Sequence, residues 1–359
     1  MDCAQLTKIL LYAQVTWKDT LRDIETWLQA NSSKVYHMGI KTYARSTIAY
    51  WNNKTDSTML EQLFYSVVWR YKHLCIWMNS PLWIPTVALD SSLVSLALSQ
   101  YDWALHRTTK WWIRLHVGID VVDCIPRFAV LKEAKQADNI VAHDIIEAWH
   151  LRKWEMMVFD RYYVDYALRK KIDDSGSFFV SRSKTNTDYT VFESNHVYEA
   201  WIIQDASIEL TGSKWVKEYE KLLRVVRYYH AEDDKIYTYI TNNFKLPAST
   251  IAKIYKYRWK IEEFFRWIKQ NLKIKSFLWT SKNAVMNQIR VAMIYYVLLH
   301  YLRSVARLGK KQILKMSRLL REKCMDIIPI SEIFALCRSK THWCLSQDLW
   351  PPQNSLFSL

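Results

Sequence analysis

The chain has 359 residues and carries 50 Lys+Arg against 35 Asp+Glu, a formal net charge of +15. That length suffices for two or three domains with a large core, and so basic a balance favours a polyanionic partner, nucleic acid before an anionic membrane. The longest apolar run, Val291–Leu302, falls short of the roughly 18 residues a membrane span requires, and the start Met1–Lys8 lacks the basic-then-apolar order of an export signal.

Residues 1–80 read as helical. Leu6, Ile9, Leu10, Tyr12 and Ala13 fall at helical spacing, a second helix is expected over Thr20–Gln29 and a third over Glu61–Met78. Pro81 and Pro85 then mark a boundary. Beyond it the apolar runs are short. Strands are expected at Val87–Asp90, Trp112–Val117 and Phe128–Leu131, a helix over Asp138–Lys153, and a strand over Met156–Asp160. A helix over Val164–Ile172 and a strand over Phe178–Ser181 follow. This order predicts a mixed α/β sheet. Residues 188–246 alternate apolar and polar and predict a β-rich segment. Helices are expected over Thr250–Leu272, Lys282–Arg303 and Lys311–Lys323, with a poorly ordered tail after Ser346.

The six cysteines form no Cys-x-x-Cys pair and read as reduced thiols of an intracellular protein. Zinc on Cys337, His342 and Cys344 would lack a second ligand pair.

On the Thr250–Leu272 helix, Tyr255, Arg258, Glu262 and Lys269 stand at i, i+3, i+7 and i+14, within an arc of roughly 60°. Ile254, Tyr257, Ile261, Phe264, Phe265, Ile268 and Leu272 form the neighbouring apolar stripe. Taken alone, the charged stripe reads first as a solvated helix face. Asp90 alone reads as a helix N-cap before Ser91-Ser92, and Asp160 alone as an ion pair with Arg161. Together the three acids suggest more. Hard carboxylates converging from two strand ends and a helix can hold two Mg²⁺ ions. Such a pair activates an attacking hydroxyl and stabilises the leaving oxygen of a phosphodiester. Arg258 and Lys269 beside Glu262 would then hold phosphate, as a fork and as a point charge.

In these residues the chain resembles the DDE transposases of bacterial insertion sequences whose signature is Tyr-x2-Arg-x3-Glu-x6-Lys. Tyr255, Arg258, Glu262 and Lys269 match that signature without a gap. Asp90, in Ala88-Leu-Asp-Ser-Ser-Leu-Val94, is similar to the family's first acidic position. Asp160, in Val158-Phe-Asp-Arg-Tyr-Tyr-Val-Asp165, is similar to the second. Thr241-Asn-Asn-Phe244 resembles the end of the family's β insertion, and 269–277 the continuation of the signature helix.

The resemblance implies an RNase H-like mixed sheet with a β-rich insertion before the last catalytic helix and helical N- and C-terminal regions. The expected organisation is a helical DNA-binding region at 1–80, preceded in relatives by further residues. A catalytic domain would be built from 81–187 and 248–305, the insertion would be 188–247, and a helical C-terminal region 306–359. The implied catalytic and metal-binding residues are Asp90, Asp160 and Glu262, with two Mg²⁺ ions and Mn²⁺ as a substitute. The implied DNA contacts are Tyr255, Arg258 and Lys269 at the end phosphates and Arg161, Lys110 and Arg114 along the backbone; His116 is expected to be structural. The implied reaction cuts transposon ends with activated water and joins the freed 3′ hydroxyls to target DNA. Double-stranded DNA is the implied partner, a homodimer on DNA the implied assembly, and the bacterial cytoplasm with its nucleoid the implied place. Two alternatives stay open: a truncated or impaired derivative acting as a DNA-binding regulator, and an RNase H-like nuclease without strand transfer.

One oddity of composition remains. Glycine occurs 5 times and tryptophan 18 times, where average usage of about 7% would give about 25 glycines. Trp17, Trp111, Trp112 and Trp279 resemble glycine positions of the family named above, and Trp27 and Trp201 are similar. A source that reads UGA as glycine would produce this pattern when UGA is translated as tryptophan; a decayed element is the alternative. Trp259 and Trp267, inside the signature helix, are expected to be genuine.

Overall fold

The computed structural model describes residues 1–74, 84–95, 112–133, 138–149, 152–163, 165–183, 187–211, 219–272, 274, 277–279, 281–309 and 311–338. The chain divides into two units, Met1–Tyr301 and Leu302–Leu359.

The first unit begins with four α-helices. α1 (Cys3–Thr16) is capped by the Asp2 carboxylate, which accepts from the Gln5 N–H. α2 (Leu21–Ala30) starts from a reciprocal capping box between Thr20 and Asp23. α3 (Arg45–Lys54) and α4 (Ser57–Leu74) follow. The sequence signals three helices here and misses α3. That helix buries only Ile48 and Asn52, too little for an apolar period to show.

The strands are β1 (Thr86–Ser95), β2 (Trp112–Asp120), β3 (Pro126–Glu133), β4 (Met156–Phe159), β5 (Phe178–Arg182), β6 (Tyr189–Ser194), β7 (Ile202–Leu210), β8 (Leu223–His230) and β9 (Lys235–Thr241). They form one sheet in the order β3-β2-β1-β4-β5-β9-β8-β7-β6. β1, β4 and β5 run parallel; every other pairing is antiparallel. The antiparallel β1–β2–β3 meander followed by parallel β4 and β5 gives the RNase H-like fold. β4 is buried along its whole length, Met156-Met-Val-Phe159, as a central parallel strand must be. The segment expected as an insertion, 188–247, extends this same sheet, because β9 pairs with β5 through Val180↔Thr241 and Arg182↔Tyr239.

α5 (Asp138–Trp149) and α6 (Tyr166–Asp174) lie between β3 and β4 and between β4 and β5 in the chain. Val141, Ala142 and Ile145 of α5 share a core cluster with Val87 and Leu89 of β1 and with Met157 and Phe159 of β4. Side chains alternate along a strand, so Asp90 points to the opposite face. There α8 packs against β1.

The single helix expected over Thr250–Leu272 is two, α7 (Ala248–Lys256) and α8 (Trp259–Asn271). Between them Arg258 N–H donates to Tyr255 O, Lys260 N–H to Tyr257 O and Ile261 N–H to Arg258 O, each at 3.0 Å. This run of i→i+3 bonds tightens the winding and breaks the α-helical ladder. The first unit's element order closes in α9 (Lys282–Val305), whose last four residues belong to the second unit.

The second unit holds α10 (Gln312–Lys323) and α11 (Ile330–Arg338), packed on each other. The Gln312 amide donates to Cys337 O and the Arg338 guanidinium to Ala306 O. Among the described residues, no helix is long and apolar enough to cross a membrane.

Candidate active site

Strand register brings the first two acids together. Leu89 of β1 pairs with Phe159 of β4, so Asp90 and Asp160, each the next residue, leave adjacent parallel strands side by side. Asp90 does not end its strand as expected. β1 continues to Ser95, and it is the β1–β4 ladder that ends beside Asp90. Each carboxylate accepts the N–H of the residue that follows, Ser91 on Asp90 Oδ1 at 2.7 Å and Arg161 on Asp160 Oδ1 at 2.6 Å.

Helix α8 supplies the third acid. Arg258 at its N-cap donates from Nη2 to Glu262 Oε1 at 2.6 Å, and its Nη1 lies 3.8 Å from Asp90 Oδ2. One guanidinium therefore joins the helix acid to the strand acid. Burial pushes the Asp90 carboxyl up to about 6; Arg258 opposes the rise, while Glu262 and Asp160 add to it.

The donor set is the test of whether a divalent cation fits. The three side chains offer hard carboxylate oxygens, the donors that suit Mg²⁺ or Mn²⁺. The oxygens of the three acids do not all come within 4.8 Å of one another. Among the described residues, the group that does is His230, Glu232 and Asp233 at the β8–β9 turn.

The remaining expected residues are placed as follows. Tyr255 lies on α7, not on the helix of Glu262. Its ring is 4.6 Å from that of Tyr239 on β9, and Arg258 sits 5.8 Å over it. Burial pushes its phenol up to about 12. Lys269 lies in the last turn of α8, two turns beyond Glu262. Arg161 is exposed and lies 5.6 Å over the Tyr162 ring. Arg114 is held by Asp138, with Nη1 2.5 Å from Oδ1, and the same Asp138 oxygen accepts from Ser91 Oγ at 3.3 Å. His116 is fully buried beside them. Lys110 lies outside the described residues.

Sequence reasoning overlooked Arg182. Ser181 of β5 pairs with Phe159, so Arg182 leaves β5 on the far side of Asp160 from Asp90. Its guanidinium lies 4.7 Å over the Tyr237 ring. The signal was present in the register of the Met156–Phe159 and Phe178–Ser181 runs, once they are taken as parallel neighbours.

Comparison with known proteins gives a consistent picture. The model of the transposase DDE domain family matches residues 84–298, and that of a domain of unknown function (DUF4372) matches residues 1–41. A protein of Sinorhizobium fredii named as a transposase is 35% identical over 227 residues, covering 62% of this chain and 61% of the relative. A Geobacillus stearothermophilus protein named as an insertion-sequence transposase is 29% identical over 221 residues, 61% of this chain and 56% of the relative. A Synechocystis protein named as an insertion-sequence transposase is 26% identical over 227 residues, 60% and 59%. In each case less than two thirds of the relative's own length is matched. Among solved structures, a chain of the piggyBac transposase synaptic complex with hairpin DNA aligns at a TM-score of 0.46 and 12% identity, over 94% of this chain and 72% of that chain. A likeness that distant carries no argument about the site.

Proposed function

The chain belongs to the transposase DDE domain family, whose model matches 84–298, and from that premise we propose that it cuts the ends of a DNA element and joins them to target DNA. The observation that carries this reading is the side-by-side exit of Asp90 and Asp160 from paired parallel strands, with Glu262 tied to Asp90 through Arg258.

Asp90, Asp160 and Glu262 are the residues that would hold Mg²⁺, or Mn²⁺ in its place. When bound, the ions supply activation of the attacking oxygen and neutralisation of the leaving one. In the first step water attacks the scissile phosphorus, the P–O3′ bond breaks, and the end carries a 3′ hydroxyl. In the second step that hydroxyl attacks a target phosphodiester, forming one P–O bond as another breaks, so no external energy source is consumed. Arg258 can present its fork to a non-bridging oxygen. Lys269 would hold a neighbouring phosphate as a point charge, and Tyr255 would donate from its neutral phenol. Arg161, Arg114, Lys110 and Arg182 are assigned to the flanking backbone. In this reading the helical segment 1–80 contacts the element's ends, 81–187 with 248–305 forms the catalytic domain, 188–247 is its β extension and 306–359 a helical C-terminal region. Two ends must meet, so the working form is a homodimer on double-stranded DNA in the bacterial cytoplasm.

The decisive experiment offers pre-cleaved element ends and supercoiled target with Mg²⁺. Joined products are expected. Hydrolysis without joining would sink the strand-transfer reading in favour of a nuclease, and binding without either would favour a regulator.

A further inference from the structure

Arg224 on β8 is 4% exposed, yet it lies outside the catalytic cluster. Its Nε and Nη2 donate to the two oxygens of buried Asp205 on β7, both at 2.7 Å. Its Nη1 donates to two main-chain carbonyls, Asn243 at 3.1 Å and Leu246 at 2.6 Å. The Asn243 side chain accepts from the N–H groups of Lys245 and Leu246 at 3.0 and 2.9 Å, closing the same turn from inside. Pro247 follows as the N-cap of α7, with no side-chain cap of its own. α7 packs against β5, β7 and β8, and the α7–α8 joint then places Arg258 and Glu262.

We propose that Arg224 is a positioning residue of the site. Its buried pair with Asp205 and its two carbonyl bonds fix where α7 starts. They therefore fix where Arg258 and Glu262 stand against Asp90 and Asp160. Lysine in its place keeps a positive charge near Asp205 but lacks the planar fork that serves carboxylate and carbonyls together. Misplacement of a reacting group by about 1 Å can cost about 10²-fold in rate, so a small loosening here is visible in catalysis. This inference rests on the transposase reading above.

The test compares wild type and Arg224→Lys in three measurements. These are single-turnover end cleavage against Mg²⁺ concentration well below the melting temperature, end binding without metal, and amide exchange of the metal-free protein. For R224K the expected result is cleavage slowed on the order of 10²-fold with saturating Mg²⁺ and little changed end binding. Exchange should be faster in 248–262 and unaltered in β1 and β4. A folded R224K that cleaves at the wild-type rate would overturn the positioning role, as would exchange raised evenly across the sheet. If R224K does not fold, Asn243→Ala, which loosens the same turn, is read the same way. A wild type that neither cleaves nor joins ends removes the transposase reading itself, whatever the exchange data show.

A separate observation concerns two tryptophans. Trp17 closes α1 in the left-handed region, at φ 57° and ψ 41°, with the Lys18 N–H reaching back to Ala13 O at 3.1 Å. Trp154 turns the chain before β4 at φ 73°, its N–H on Gly176 O at 3.0 Å. For a bulky residue this region is an outlier, and it is the usual helix-ending conformation of glycine. Gly39 and Gly176 adopt it here at 62° and 74°. Together with 5 glycines and 18 tryptophans in the chain, we infer that positions 17 and 154 are glycine in the protein as its source makes it, encoded by UGA. The gene's codons and the masses of peptides spanning both positions, from the source's own cells, decide this. UGA codons with glycine-containing peptides are expected; UGG at either position, or tryptophan in the peptides, would overturn it.

Discussion

Arg258 Nη1 stands 3.8 Å from Asp90 Oδ2, so a cation from the start of α8 rests against a carboxylate in the middle of β1. The same guanidinium holds Glu262 at 2.6 Å. It links the two acids, and in the function proposed above it also offers donors to a DNA phosphate. Removing it should act on DNA before it acts on the fold. Arg258→Ala is expected to weaken end binding and to lower the slope of log affinity against log salt by about one. A titration series between low and moderate salt measures this, and an unchanged slope would mean that Arg258 does not touch phosphate.

Glu262 is the acid whose removal should separate binding from chemistry. Glu262→Ala leaves Arg258 without its 2.6 Å partner but takes no basic side chain from the face proposed to meet DNA. The expectation is loss of Mg²⁺-dependent cleavage with end binding largely retained, read by gel shift and cleavage on the same labelled ends. Wild-type cleavage by this variant would take Glu262 out of the metal site.

How legible was this site? The runs Val87–Asp90 and Met156–Asp160 show as short apolar segments ending on an acid, because a central parallel strand is apolar on both faces. Their adjacency does not show, since pairing is a long-range choice; only the register Leu89↔Phe159 puts Asp90 beside Asp160. The break at Tyr257-Arg258 was equally hidden. Apolar positions keep helical spacing across it, and the i→i+3 bonds that break it leave no mark on composition. Arg224 was invisible for a related reason: its partners come from two separate stretches, Asp205 on β7 and the Asn243–Leu246 turn, and no spacing rule connects them to it.

Gly118 lies on β2 opposite Phe128 of β3. A Cβ built there would come within 2.2 Å of the Phe128 ring. Gly118→Ala is expected to destabilise the protein by about 1–3 kcal/mol, the usual cost of forcing atoms into a packed site, measured by denaturant unfolding. Phe128→Leu in the same chain should recover part of that loss. If Gly118→Ala alone is neutral, the ring has room to move and the contact does not set the β2–β3 register.

Trp17 offers a stability test of the left-handed turn that ends α1. Trp17→Gly should raise stability by about 1 kcal/mol by relieving the backbone, whereas Trp17→Ala, which keeps a Cβ at φ 57°, should not. Thermal melts of the two variants compare the backbone effect with loss of the indole. Equal shifts in both would assign the effect to the side chain.

His116 gives the pH prediction. Its side chain is fully buried, and both ring nitrogens lack a hydrogen-bond partner. Asp138, Arg114 and Lys132 are the charges around it, and burial, the largest influence, pushes its pKa down from 6.5 to about 4. The native state therefore keeps the ring neutral where the unfolded chain takes up a proton. The stability this represents is present in full above about 6.5 and drains away as pH falls from there to about 4. The drop from 6.5 to about 4 corresponds to about 3 kcal/mol at most. His116→Leu should leave stability at pH 7 nearly unchanged, since no hydrogen bond is lost, and should flatten the decline between pH 6.5 and 4. Urea unfolding at half-unit pH steps provides the check. A decline of the same size in His116→Leu would place the acid sensitivity on other groups.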